Sequence, residues 1–148
     1  MEKYQNVNYY FNDIDLAIDC AKKVNKPILI QFSNWQSSNR DFLETVLADK
    51  KIKAYLNNEM ILLVLMNDDK HPFKSNEKSL LNTIIAIEEN NTIGNINKKL
   101  KNHFIQSTRN TSEPQYIIID SKLNKLAAPW GYTKDPNRFI NEFEKISN

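Results

Sequence analysis

The chain has 148 residues, 41% of them hydrophobic and 26% charged, and its 20 basic and 18 acidic residues leave a net charge of +2. That length suits one domain with a buried core, and the composition is ordinary for a globular protein. Such a balance excludes the concentrated basic stripe of a nucleic-acid binder. The nearest approach to one, Lys98, Lys99 and Lys101, reads as a solvated helix face.

The N-terminal stretch, residues 1–12, reads as an extension ahead of the patterned chain. Met1 to Phe11 is polar and aromatic and lacks the basic start and apolar stretch of a secretory leader. The chain as it stands is therefore expected in the cytoplasm, the alternative being an exported, periplasmic protein whose leader has been removed. Asn12 or Asp13 can cap a helix running to about Asn25, with Ile14, Ala17, Ile18, Ala21 and Val24 on one face and Lys22 and Lys23 at the C-terminal end. Pro27 stops it. Ile28 to Phe32 is short, apolar and rich in β-formers, which predicts a buried strand.

A polar stretch from Ser33 to Asn39 leads into a predicted helix from about Arg40 to Ala48, and Asp49 can cap a second, short one through Leu56. Met60 to Met66 is a continuous apolar run. It suits a central strand covered on both faces and is far too short for the roughly 20 residues of a membrane span. The pattern then weakens into an irregular insert, residues 67–95. Within it the spacing of Leu80, Ile84 and Ile87 predicts a helix from Ser79 to Glu89. Another helix is predicted over Ile96 to Ile105, a strand over Gln115 to Asp120, and a hairpin partner over Leu123 to Leu126. Asp135 or Pro136 opens a last helix with Phe139, Ile140 and Phe143 inward. Helices and strands in this order give a central mixed β-sheet flanked by helices on both faces, an α/β class. No repeat or linker divides residues 1–148.

Three segments carry a family resemblance. Phe32-Ser33-Asn34-Trp35-Gln36-Ser37-Ser38-Asn39-Arg40 resembles the strand-to-helix junction of thioredoxins, where a Trp precedes Cys-x-x-Cys-Lys/Arg. Glu113-Pro114 followed by Gln115 to Asp120 resembles the cis-proline and the strand after it, and Leu126 to Tyr132 resembles the final hairpin and its glycine. The combination is most similar to the C-terminal thioredoxin-like domain of bacterial thiol:disulfide interchange proteins, through the "KPILI-F" strand, Asp68-Asp69, Thr92-Ile93-Gly94 and Ala127 to Phe143.

The resemblance implies a thioredoxin-like fold, and it also exposes a departure. Gln36 and Asn39 hold the two cysteine positions, and only a thiolate attacks a disulfide. Gln31 stands where many relatives carry an Asp that moves protons. The single cysteine, Cys20, excludes an internal disulfide and lies mid-helix beside the apolar stripe, with no motif around it. Thiol–disulfide oxidoreductase activity is thus not expected, and no catalytic residue is assigned.

The resemblance implies that the old active-site corner holds an extended peptide or a protein partner beside the cis-proline. Its candidate binding residues are Trp35, Gln36, Ser37, Ser38, Asn39, Arg40, Glu113 and Pro114, with Glu113 adding negative charge beside the groove. The alternatives are a non-redox enzyme, a monothiol activity through Cys20, or the thiol–disulfide oxidoreductase that the resemblance implies at the level of the family. Neither a metal nor a cofactor is expected, because His71 and His103 lack partners at ligand spacing and Asp68, Asp69 and His71 read as solvated loop.

Overall fold

The computed structural model describes residues 1–4, 6–35, 42–74, 76, 78–106 and 113–147. Five strands form one sheet in the order β1-β2-β4-β3-β5, where β1 is Glu2–Tyr4, β2 Val7–Phe11, β3 Ile28–Ser33, β4 Ile61–Met66 and β5 Gln115–Ile119. β2, β4 and β3 run parallel to one another, while β1 and β5 are antiparallel to their neighbours. Every residue of β3 and β5 is buried, the polar Gln31, Ser33 and Gln115 included, as expected of strands covered on both faces.

Helices α1 (Ile14–Val24) and α3 (Ile93–Phe104) cover one face of the sheet, where Ala17, Ile18, Leu100 and Phe104 meet Ile30, Leu63 and Ile117. Helices α2 (Lys50–Asn58) and α4 (Pro136–Ser147) cover the other, where Ile52, Phe139 and Phe143 meet Leu29, Leu62 and Tyr116. Removing one such buried aliphatic side chain to Ala costs about 2–5 kcal/mol. The caps follow the sequence closely. Asp13 accepts the Leu16 amide, Asp49 those of Lys51 and Ile52, and Asn25 ends α1 in the left-handed region at φ 54°. Among the described residues no helix is long and apolar enough to cross a membrane.

Four segments differ from the sequence pattern. Residues 1–12 are not plain extension, because β1 and β2 form a hairpin that adds two strands to the sheet edge. The described part of the segment predicted as helix 40–48 is a π-helical turn, Phe42–Val46, in which the Leu47 amide reaches back to the Phe42 carbonyl. The wider turn brings Phe42, Val46 and Leu47 all into the core.

The helix expected from Ser79 to Glu89 is instead a single 3-10 turn, Leu80–Thr83. There the Thr83 hydroxyl donates to the Leu80 carbonyl, and the Asn82 amide group donates to the carbonyls of Asn76 and Ser79. These local bonds of Asn82 and Thr83 compete with helix propagation. Finally, the stretch after β5 pairs with it only through isolated bridges at Lys125 and Trp130 and forms no regular strand; Leu123 sits at φ 69° and Pro129 has no amide to donate.

Candidate functional site

Three chain segments meet at the C-terminal ends of β3 and β4: Ser33-Asn34-Trp35, Met66 to Asp69, and the Glu113–Pro114 peptide, which is cis. The antiparallel register of β3 and β5 pairs Phe32 with Gln115 and so carries Asn34 alongside Glu113. Of the predicted site residues, Trp35, Glu113 and Pro114 are brought together here. Gln36, Ser37, Ser38, Asn39 and Arg40 lie outside the described residues.

Trp35 is held by its backbone, not by its ring. Its amide donates to both oxygens of the Asp68 carboxylate, at 2.9 and 3.2 Å. The indole is 64% exposed and tilts against Phe11 with ring centroids 5.7 Å apart. Glu113 is arranged in the opposite way. Its carboxylate, only 7% exposed, accepts from Asn34 Nδ2 at 2.8 Å, from Asn67 Nδ2, and from the Lys101 ammonium at 2.8 Å. Its charge is therefore neutralised within the fold, and Lys101 is an internal partner, not part of a solvated face. Lys99 is engaged as well, donating to the Ala86 carbonyl at 2.7 Å.

A second polar cluster adjoins the first. Asn12, at φ 55°, accepts the Met66 amide at 2.8 Å and Asn97 Nδ2 at 3.1 Å, and donates to Asp69 at 2.8 Å. The other Asp69 oxygen accepts from the His71 amide at 2.8 Å and meets the His71 ring nitrogen Nδ1 at 2.7 Å. Burial works to raise the Asp69 pKa, but the bonds from His71 and Asn12 together outweigh it and hold the carboxyl below its usual range. The Asp69 carbonyl accepts the Gly94 amide, and a Cβ on Gly94 would lie 2.6 Å from the Asn67 carbonyl oxygen. Asp69 is therefore structural, contrary to its reading as a solvated loop residue. Asn12 and Asn97 carried no site signal in the sequence.

On the other face of the sheet the same strand ends border a cavity of about 380 Å³. Leu62, Val64 and Leu47 are among the residues that line it, with Tyr9, Phe11, Trp35 and Phe42 as its aromatic walls. Gln31 is 2% exposed and also borders the space. Glu2 is the charged residue at its lining and is exposed.

No family model matches the sequence, and no curated protein matches it. Solved structures do. A DsbH oxidoreductase superposes with a TM-score of 0.60 at 14% identity, covering 99% of this chain and 92% of that one. A thioredoxin from Thermus thermophilus superposes with a TM-score of 0.57 at 13% identity, covering 95% of this chain and 87% of that one. The fold is thioredoxin-like. At such identities the likeness concerns the fold alone.

Within this thioredoxin-like fold the single cysteine sits far from a dithiol arrangement. Cys20 is partly buried in α1 and packs on the core of the α1/α3 face, across the sheet from the Trp35 cavity. Its partner is Tyr10, whose pKa is pushed up to about 12, first by the hydrogen bond to Cys20 and then by burial. His103 rests edge-on to Phe104, while His71 is 83% exposed on its side chain. Among the described residues no group of three His, Cys, Asp or Glu could hold a metal ion.

One further aromatic was missed. Tyr132 follows the Tyr116–Trp130 bridge and is 41% exposed. Its signal in the sequence was its place next to Gly131.

Proposed function

We propose that the protein is a redox-inactive, thioredoxin-like binding module that takes an extended peptide or protein segment at the Trp35 face. The observation that carries this reading is the exposed Trp35 indole at the rim of an apolar cavity, its amide locked by Asp68 and its ring free to receive a ligand. An amphipathic ring held in this way presents a large contact area at low entropic cost. Gln36 to Arg40 follow Trp35 directly in the chain, and the buried Pro114 supports the corner from the β5 side. Glu113 serves as a positioning residue, tying the Pro114 loop to β3, β4 and α3.

Redox inactivity follows from the chemistry of position. Gln36 and Asn39 have no thiol, and Cys20 has no second cysteine with which to form an internal disulfide.

Two measurements test the reading. The wild-type protein should not accelerate the reduction of insulin disulfides by dithiothreitol, and acceleration above the uncatalysed rate would overturn the redox claim. On an array of immobilised acetylated heptapeptides, wild type should capture a subset that Trp35→Ala loses. Equal capture by the two proteins would overturn the placement of the site. The variant suits this purpose because Trp35 is mostly exposed, whereas Glu113→Lys would break a buried ion pair and confound binding with folding.

A further inference from the structure

The cavity beside Trp35 has a chemical asymmetry. In the β1–β2 hairpin Glu2 lies directly across from Tyr9. Tyr9 and Phe11, two residues apart on β2, share one side of the strand, and Phe11 meets the Trp35 ring at 5.7 Å with an interplanar angle of 55°. The β2–β4 register sets Tyr9 beside Leu62 and Phe11 beside Val64. The result is an aliphatic floor, a wall of four aromatic rings that includes Phe42, and one exposed carboxylate in the lining. Among the described residues Glu2 forms no ion pair.

A neutral apolar side chain would fill this floor and leave the carboxylate unanswered, and an acidic one would be repelled. A long basic side chain satisfies both parts. Its methylene stem lies on apolar surface while its cation stays near water, and aromatic ring faces attract cations. We infer that the cavity receives a lysine or arginine side chain of the bound segment, with the stem over Leu62 and Val64 and the cation between the Tyr9–Phe11–Trp35 wall and Glu2. The partner is therefore an extended basic peptide. This inference rests on the reading of the Trp35 face as a peptide site.

The test uses acetylated, immobilised heptapeptides that are identical except at one position, which is Lys, Arg, norleucine, Leu, Gln or Glu, presented in several flanking contexts. Norleucine keeps the stem and removes the charge. Wild type should capture the Lys and Arg peptides about tenfold better than norleucine, the joint effect of an exposed ion pair and a cation–π contact. Glu2→Gln should reduce that preference to about twofold while leaving norleucine capture unchanged. Norleucine or Leu captured as well as Lys, or an undiminished preference in Glu2→Gln, would overturn the cation assignment and leave peptide binding standing. Capture of no peptide by the wild type would overturn the peptide reading itself and this inference with it.

Discussion

The two faces of the sheet end differently at the same corner. On the α1/α3 face the polar side chains are engaged with one another: Asn12 with Met66, Asp69 and Asn97, and Glu113 with Asn34, Asn67 and Lys101. On the α2/α4 face, Trp35 stands exposed above an apolar cavity whose lining includes the Glu2 carboxylate, which has no ion pair among the described residues. Both lie where a thioredoxin-like fold gathers its loops. The difference teaches that a charged, site-like cluster can be wholly occupied in holding the corner together. The proposed binding site lies on the face that keeps an exposed aromatic ring beside an apolar cavity.

If that division is right, the largest stability losses belong to the saturated side. Asn12→Ala removes three side-chain hydrogen bonds at a left-handed position, φ 55°, that Asn adopts more readily than Ala, so a loss of about 2–4 kcal/mol is expected in urea unfolding. Gly94→Ala belongs with it, because its new Cβ would press on backbone atoms of Asn67 and Asp69, which cannot swing aside. Next comes Glu113→Gln, which keeps the shape of the side chain but leaves Lys101 without its counter-charge. A cost of about 1–3 kcal/mol is expected, moderated because Lys101 is 18% exposed.

Acid should weaken the same side. The Asp69 pKa is lower in the folded chain than in the unfolded one, so its contribution is fully present above the unfolded carboxylate value of about 3.9. That contribution is lost as pH falls through the folded value. Urea midpoints taken between pH 6 and pH 3 should therefore fall less steeply in Asp69→Asn than in wild type, and parallel curves would contradict the assignment. The smallest stability effect is expected at Trp35→Ala, below about 1 kcal/mol for a mostly exposed ring.

Much of this architecture was legible in the sequence because β3, β4 and β5 are short and mostly apolar and Asp13 and Asp49 are cap-forming residues, whereas α3 begins at Ile93 behind the Thr92 cap, ahead of the predicted start at Ile96. β1 and β2 were not, since Tyr9, Tyr10 and Phe11 are all half-buried and give no clean alternation. The spacing of Leu80, Ile84 and Ile87 imitates a helical face. These residues reach the core from a 3-10 turn and the irregular chain after it, so periodicity alone misled.

At the site, Trp35 and Pro114 could be picked out by resemblance. The polar clusters could not, because Asn12 finds Asp69 and Asn97 across 57 and 85 residues of chain, and a single sequence holds no trace of such pairings. Glu113 illustrates the limit. Its presence beside the proline was readable, but its neutralisation by Lys101 depends on how α3 packs.

The most direct test of the division between the two faces is to measure peptide-array capture and the urea midpoint on the same two variants, Trp35→Ala and Asn12→Ala. The account predicts that Trp35→Ala loses capture and keeps its midpoint. Asn12→Ala should lose midpoint and, at low temperature where it remains folded, keep capture. Full capture by Trp35→Ala, or a midpoint that falls as far as that of Asn12→Ala, would contradict it.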